Sequence, residues 1–426
     1  MNASQLKKLM KFHRGFGMVL GILVLMWSLT GVLHPIMSAT QPQPAKRMPP
    51  FQQLHLEHAM PASQVLQQHS ITQFSTLQAI ELQPKLVAYR VLKPNQNSAE
   101  YYDSQTSQFI DHGEQHDAKR LALWYTGLAK EQIVSAKLIT EFSDDYPSVN
   151  RLLPVWRVSF DNGLRAYVDP SQSRLATLSN DQKMWMARIF RLGHTWTWGD
   201  QAWLGQTILM QIALIGILVL VVMGVGLFFK IHNRKNHRLR QKPSRFLHRY
   251  LAISLSVFIT LWLISGFYHV WQKKPAVQNI QPIFNTQDLS LEAWQTATQQ
   301  PLQRLNLVPI ALNNAQAVAG WMVQFVGTPQ MQGSMTAVKE HDHHNQAKSA
   351  APTIELIDAK TSAKLDILEQ SKRLAANYLH IPAHQFTQSS WVTSFSGEYG
   401  FINKRLPVVK VETSLNNQLR LYIEPS

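Results

Sequence analysis

The chain has 426 residues, with 41 Lys and Arg against 26 Asp and Glu for a formal charge of +15, and it contains no cysteine. The missing thiols exclude disulfides, thiolate catalysis, iron–sulfur clusters and cysteine-ligated haem. The excess charge does not point to nucleic acid, because the basic residues gather at the ends of apolar runs rather than on a soluble face.

Residues 1–11 form a short basic segment with Lys7, Lys8 and Lys11, cytoplasmic by the positive-inside rule. The apolar run 12–37, FHRGFGMVLGILVLMWSLTGVLHPIM, reads as a first membrane helix with Pro35 at its exit. No charged residue occurs from Gly15 to Ala45, a run too long for a signal-peptide core, so this is an uncleaved anchor. Residues 40–183 open on a proline-rich linker, TQPQPAKRMPP, and continue as a first soluble α+β domain. Within it, Ala62–Gln68 and Ala118–Leu128 have helical spacing and Leu77–Leu92 alternates like a strand pair. Leu153–Val168 reads as a hairpin around Asp161-Asn162-Gly163.

Residues 184–203, MWMARIFRLGHTWTWGDQAW, are dense in aromatic side chains and mark a membrane interface. A second membrane helix is expected over 204–229, a basic cytoplasmic loop over 230–245 and a third helix over 246–271. Anionic lipid head groups are the natural partner of the basic segments. Residues 273–426 then form a second soluble domain outside, interrupted by the low-complexity patch Thr336–Ala351.

The sequence also repeats. His13, Arg14, Trp27, Gly31 and His34 return 235 residues later as His248, Arg249, Trp262, Gly266 and His269. In the soluble segments Lys119-Arg120-Leu121-Ala122 returns as Lys372-Arg373-Leu374-Ala375, and Leu153-Pro154-Val155 as Leu406-Pro407-Val408. Asp169-Pro170-Ser171 returns as Glu424-Pro425-Ser426. We read this as an internal duplication. The first copy continues past Ser171 into the tryptophan cluster and a helix, whereas the second stops at Ser426. A fourth helix completing the bundle is therefore expected beyond a truncated end.

The His-Arg opening of an apolar helix, the Trp…Gly pair near its end and the Leu-Pro-Val…Tyr-Val-Asp-Pro hairpin resemble the PepSY-associated transmembrane proteins. These are iron-regulated inner-membrane proteins of bacteria, some of them ferric-siderophore reductases. The resemblance implies an α-helical integral membrane bundle, three spans here, carrying two α+β PepSY-like domains in the periplasm. It also implies a haem-bearing bundle that passes electrons outward to iron chelates.

In each copy the two histidines stand 21 residues apart, ~31 Å on a helix against ~30 Å of hydrocarbon core. Each helix thus holds one imidazole near each membrane face. Two haems b would take axial ligands from an outer set, His34, His269 and His194, and an inner set, His13 and His248. Arg14 and Arg249, next to the inner histidines, suit haem propionates. His13 can pair with His248 and His34 with His269, or either outer histidine can pair with His194. The plain alternative is interfacial histidines hydrogen-bonded to head groups and backbone. Trp196 and Trp198 can wall a haem edge, Trp27 and Trp262 can pack or touch it, and Gly31 and Gly266 can admit a porphyrin or a neighbouring helix.

His232 and His237 read as part of the solvated loop, as does Glu340-His341-Asp342-His343-His344, although that run can bind a divalent metal. Glu141, Asp144 and Asp145 read as a solvated turn. No catalytic residue, nucleotide fingerprint or flavin motif emerges, so electrons would come from a quinol or a cytoplasmic donor. Arg151, Lys404, Arg405 and Arg420 are surface cations that can attract an anionic ferric siderophore or another iron chelate. The leading reading is a haem-b electron-transfer protein that reduces ferric iron in the periplasm. Against it stand a membrane-anchored module that binds peptides or restrains a protease, and a haem transporter or sensor.

Overall fold

The structure, a computed structural model, describes residues 3–196, 204–232, 243–271, 282–313, 316–326, 354–400, 406–414 and 419–424. The helices among them are α1 (Ala3–Thr40), α2 (Ala62–Gln68), α3 (Gly113–Thr126), α4 (Asp181–Phe190), α5 (Leu204–His232), α6 (Pro243–Trp271), α7 (Leu291–Ala297) and α8 (Ile367–Leu379). Two compact units result.

The first unit contains α1, α4, α5 and α6. Three of its helices have stretches long and apolar enough to cross a membrane: Ser4–Thr40, Gly205–Ile231 and Phe246–Tyr268. Their mutual core is Leu20, Trp27, Ala213, Leu214, Ile217 and Leu263. Gly216 lets α1 approach α5 closely, since a Cβ there would lie 3.3 Å from Leu20 Cδ1. Large apolar side chains such as Leu29, Val257 and Phe258 face outward, as a lipid environment allows and water does not.

The helix ends differ from the sequence reading. The basic segment 1–11 is not a separate tail, because α1 starts at Ala3 and carries those lysines on its first turns. Pro35 lies inside α1, not at its exit. Its ring nitrogen cannot bond the Gly31 carbonyl, but beyond it Ser38 Oγ donates to His34 O at 3.2 Å and Thr40 Oγ1 to Ile36 O at 2.9 Å. The ends of the expected basic loop, 230–232 and 243–245, are turns of α5 and α6, while 233–242 lie outside the described residues. The soluble segment also ends sooner than expected. Asn180 Oδ1 accepts from Lys183 N at 2.9 Å and starts α4 at Asp181.

The second unit holds the strands. In the first segment these are β1 (Gln73–Phe74), β2 (Thr76–Gln83), β3 (Leu86–Leu92), β4 (Glu100–Asp103), β5 (Phe109–Ile110), β6 (Ile133–Ile139), β7 (Val155–Phe160), β8 (Arg165–Asp169) and β9 (Arg174–Ser179). After α6 come β10 (Phe284–Asn285), β11 (Leu302–Asn313), β12 (Gln316–Phe325), β13 (Ile354–Asp358), β14 (Lys364–Leu365), β15 (Phe386–Val392), β16 (Val408–Thr413) and β17 (Arg420–Ile423). The segments 40–183 and 273–426 do not fold as two separate domains. An eight-stranded antiparallel sheet runs β14-β13-β12-β11-β2-β3-β4-β5, drawing four strands from each. They join where Ala79 pairs with Leu305 and Gln78 with Asn306, and again where Phe74 pairs with Phe284. β2 precedes α5 in the chain and β11 follows α6. Their pairing therefore requires an even number of membrane crossings between them, and α5 and α6 are two helices long and apolar enough to make them.

The large sheet is covered by α2 and α7, whose Val65, Leu66, Ala293 and Trp294 pack on Tyr89 and Trp321. Trp294 meets both rings edge-on at 5.7 and 5.5 Å. Two smaller meanders each carry one helix. α3 packs Leu121 and Tyr125 on Val158 and Val168 of β6-β7-β8-β9, and α8 packs Ala375 and Ala376 near Phe386, Val409 and Val411 of β15-β16-β17. Both Leu153–Pro154 and Leu406–Pro407 are cis. The β7–β8 turn has Gly163 at φ 78°, a conformation that suits glycine. Glu114 in the first turn of α3 is buried and fully engaged. It accepts from Arg90 (2.6 Å), Ser98 Oγ (2.8 Å), Ala99 N (3.1 Å) and Trp156 Nε1 (3.2 Å).

Candidate functional site

The helical period of α1 places His13 about three turns from its start, facing α5. Gly224 is the point of contact: a Cβ built there would lie 3.2 Å from His13 Cε1 and 3.8 Å from Nε2. The missing side chain leaves a notch for the imidazole. His13 Nδ1 is buried without a hydrogen-bond partner. α6 brings the exposed His248 within electrostatic range of it. Arg249 follows, its guanidinium carbon 5.8 Å from the Phe228 ring and its Nε buried without a partner. Arg14 is exposed.

The other level is built by the end of α4. At Arg191 the helix widens into a π-helical turn, Arg191–Thr195, which closes at Trp196 in the left-handed conformation, φ 53°. Arg191 anchors this turn on Asp144 at 2.9 Å, so Asp144 is not merely a solvated carboxylate. The turn sets His194 against α1, with Nδ1 3.1 Å from Trp27 O and 3.5 Å from Thr30 Oγ1. A carbonyl oxygen only accepts, and Thr30 Oγ1 donates its own proton to Met26 O at 2.7 Å. Nδ1 is therefore the donor, and in the neutral ring Nε2 is the nitrogen with the lone pair.

Glycine again makes the fit. A Cβ at Gly31 would lie 3.2 Å from His194 Cε1, and one at Gly193 would lie 2.6 Å from Thr30 Cγ2. Phe190 stacks on His194 at 4.8 Å and also meets the ring of His34 at 5.7 Å. His34 is exposed. His269 lies on the last turns of α6, but its side chain is outside those described.

The tryptophans pack on one another. Trp27 stacks on Trp196 at 5.2 Å and meets Trp262 edge-on at 5.5 Å. Trp196 is thus buried against Trp27, where it was expected beside His194 as a wall. Gly266 faces Leu214 of α5, and Gly31 faces His194, so both glycines admit protein neighbours. Trp198, Trp203, His237, the run 340–344, Lys404 and Arg405 lie outside the described residues. Among the described residues no group of three His, Cys, Asp or Glu side chains is arranged to hold a metal ion. Arg420 is committed to Glu398 at 2.9 Å and Glu412 at 3.6 Å, and is no free surface cation.

The structure therefore associates His13 with His248, and His34 with His194 through Phe190. Sequence reasoning missed Gly224, Phe190 and Thr30. Phe190, four residues before His194, carried the signal of a shared helix face; Gly224 carried none.

The model of the family described as PepSY-associated TM region matches residues 10–391. The chain belongs to that family. Comparison with curated proteins and with solved structures gave no match. As a PepSY-associated TM protein with three candidate spans, it is a membrane protein whose outward apolar side chains meet lipid. A haem ligand needs a neutral imidazole with one nitrogen free and the other held. His194 of this PepSY-associated TM chain meets that demand, with Nδ1 held and Nε2 free. His13, seated in a glycine notch with Nδ1 unpartnered, meets it in part.

Proposed function

We propose that this protein is an electron-transfer component of a bacterial inner membrane. It would hold haem b at two levels and pass electrons outward to ferric iron carried by a siderophore or another chelate. The observation that supports this most is the tautomer of His194, fixed by the Trp27 carbonyl at 3.1 Å. That bond leaves Nε2 available to an iron ion. His34 and His269 are its partners at the same level, and His13 with His248 form the other. Arg249, whose Nε lacks a partner, and the exposed Arg14 would pair with propionates.

Bound haem would supply reversible one-electron chemistry between its ferric and ferrous states. The chain's own part is positional. Trp27 and Thr30 orient the His194 ring, Phe190 covers its face, and the Trp27–Trp196–Trp262 group fills the space between helices. Electrons would come from a quinol or a cytoplasmic donor. The soluble unit would face the periplasm, and the paired His-Arg, Trp and Gly positions of α1 and α6 would descend from a duplication.

The test is a reduced-minus-oxidised visible spectrum of the full chain, purified in detergent after hemin is supplied during expression. A sharp α band and a Soret band are expected. His194→Ala and His13→Ala should each remove part of the absorbance, and together all of it. A colourless wild-type protein would overturn the proposal.

A further inference from the structure

The soluble unit contains a polar cleft at the seam between its two sequence segments. β2 and β11 pair only at Ala79–Leu305 and Gln78–Asn306. β2 runs on to Gln83 and β11 begins at Leu302, yet the ladder stops. Ile80 and Arg304, which would be opposite one another next, instead line a cavity of about 70 Å³. Pro49, Pro50 and Gln52 form one wall, tied down where Leu54 N donates to Leu302 O at 2.8 Å. Ser171–Ser173 form another, tied by Gln78 Nε2 donating to Ser171 O at 3.0 Å.

Among the described residues Arg304 is the only charged one on this lining, and its side chain has no hydrogen-bond or ion-pair partner among them. Its charged neighbours are Arg174 and Glu424. Glu424 is engaged by Arg174 at 3.0 Å, and Arg174 also meets Asp169 at 3.3 Å. Burial, reinforced by Arg174 and opposed by Glu424, holds the Arg304 guanidinium below its usual value, as for a cation short of compensation. The remaining lining is rich in amides. Gln78 and Asn306 are buried, and Gln324 Nε2 donates to Gln303 Oε1 at 3.1 Å, which leaves the Gln303 nitrogen free to donate.

A guanidinium with amide donors calls for an oxygen anion, and its planar fork matches a carboxylate with two parallel bonds. The volume holds a few waters, enough for one carboxylate group but not for a whole chelate. A phosphate dianion fits less well, with one uncommitted cation and Glu424 near it. We propose that this cleft binds the carboxylate of a small organic acid, with Arg304 as its bidentate partner. The site does not depend on haem and is read by binding alone.

The test uses the full chain in detergent, titrated calorimetrically and melted with acetate, citrate and sulfate at matched ionic strength. Citrate and acetate should bind and raise the melting temperature, and sulfate should bind more weakly. Arg304→Gln should weaken carboxylate binding at least tenfold while raising the melting temperature of the ligand-free chain, because an uncompensated cation is removed. Arg304→Lys, which keeps the charge without the fork, should fall between. Failure of both carboxylates to bind, or equal binding by Arg304→Gln, would overturn the proposal. So would tighter binding of sulfate, or a lower ligand-free melting temperature in Arg304→Gln, which marks a structural role.

Discussion

At the scale of single residues, the spacing of the histidines along each helix was legible in the sequence, but their environments were not. Nothing in the run around Gly224 announced that His13 would sit on it, since a seat of this kind joins residues far apart in the chain. The buried Arg90–Glu114 pair was equally hidden. Its members lie on β3 and α3, and the carboxylate is buried with four donors around it. Glu114→Ala strands a buried guanidinium and should cost ~3–5 kcal/mol, read from chemical or thermal unfolding of the soluble unit. Glu398 gives a pH-dependent test. The Tyr422 hydroxyl, at 2.7 Å, with Lys410 and Arg420 holds its carboxyl below the ordinary value. A lowered folded-state pKa contributes stability above the ordinary carboxylate range that is lost as pH falls through the folded value. Glu398→Gln should therefore lower the melting temperature at neutral pH and remove that part of the acid-side decline. Because the site is exposed, salt should shrink the difference.

At the scale of elements, the apolar runs gave three long helices, and the short periodic stretches gave α2, the β2–β3 pair and the β7–β8 hairpin close to where they stand. Local patterning suffices for these because their partners are neighbours in sequence. The π-helical turn was not legible, for it depends on packing against α1. A Cβ at Gly193 would lie 2.6 Å from Thr30 Cγ2. Gly193→Ala should destabilise the first unit by ~1–3 kcal/mol through overpacking. Combining it with Thr30→Ala, which removes that methyl, should recover much of the loss in a double-mutant cycle on thermal unfolding. At the other level, Gly224→Val should displace the His13 ring. If His13 carries a ligand role, the same variant should lower bound haem without changing helix content by circular dichroism.

At the scale of the whole molecule, the repeat suggested two domains side by side, and the fold instead weaves both segments into one sheet. Periodicity marks strands but not their distant partners, so the β2–β11 seam could not be read from either segment alone. A protease site inserted between His232 and Pro243 should give two fragments that stay together through gel filtration in detergent, because each contributes four strands to the same sheet. Separation of the fragments would show that the seam does not hold them. The shared sheet also bears on synthesis. During translation β2 is released long before β11 exists, and the α5–α6 pair must be made in between. The β2 edge therefore waits, open to wrong partners, until β11 has been made. Cells making this protein should need a chaperone that covers this edge, and stalling after α6 should leave an aggregation-prone intermediate.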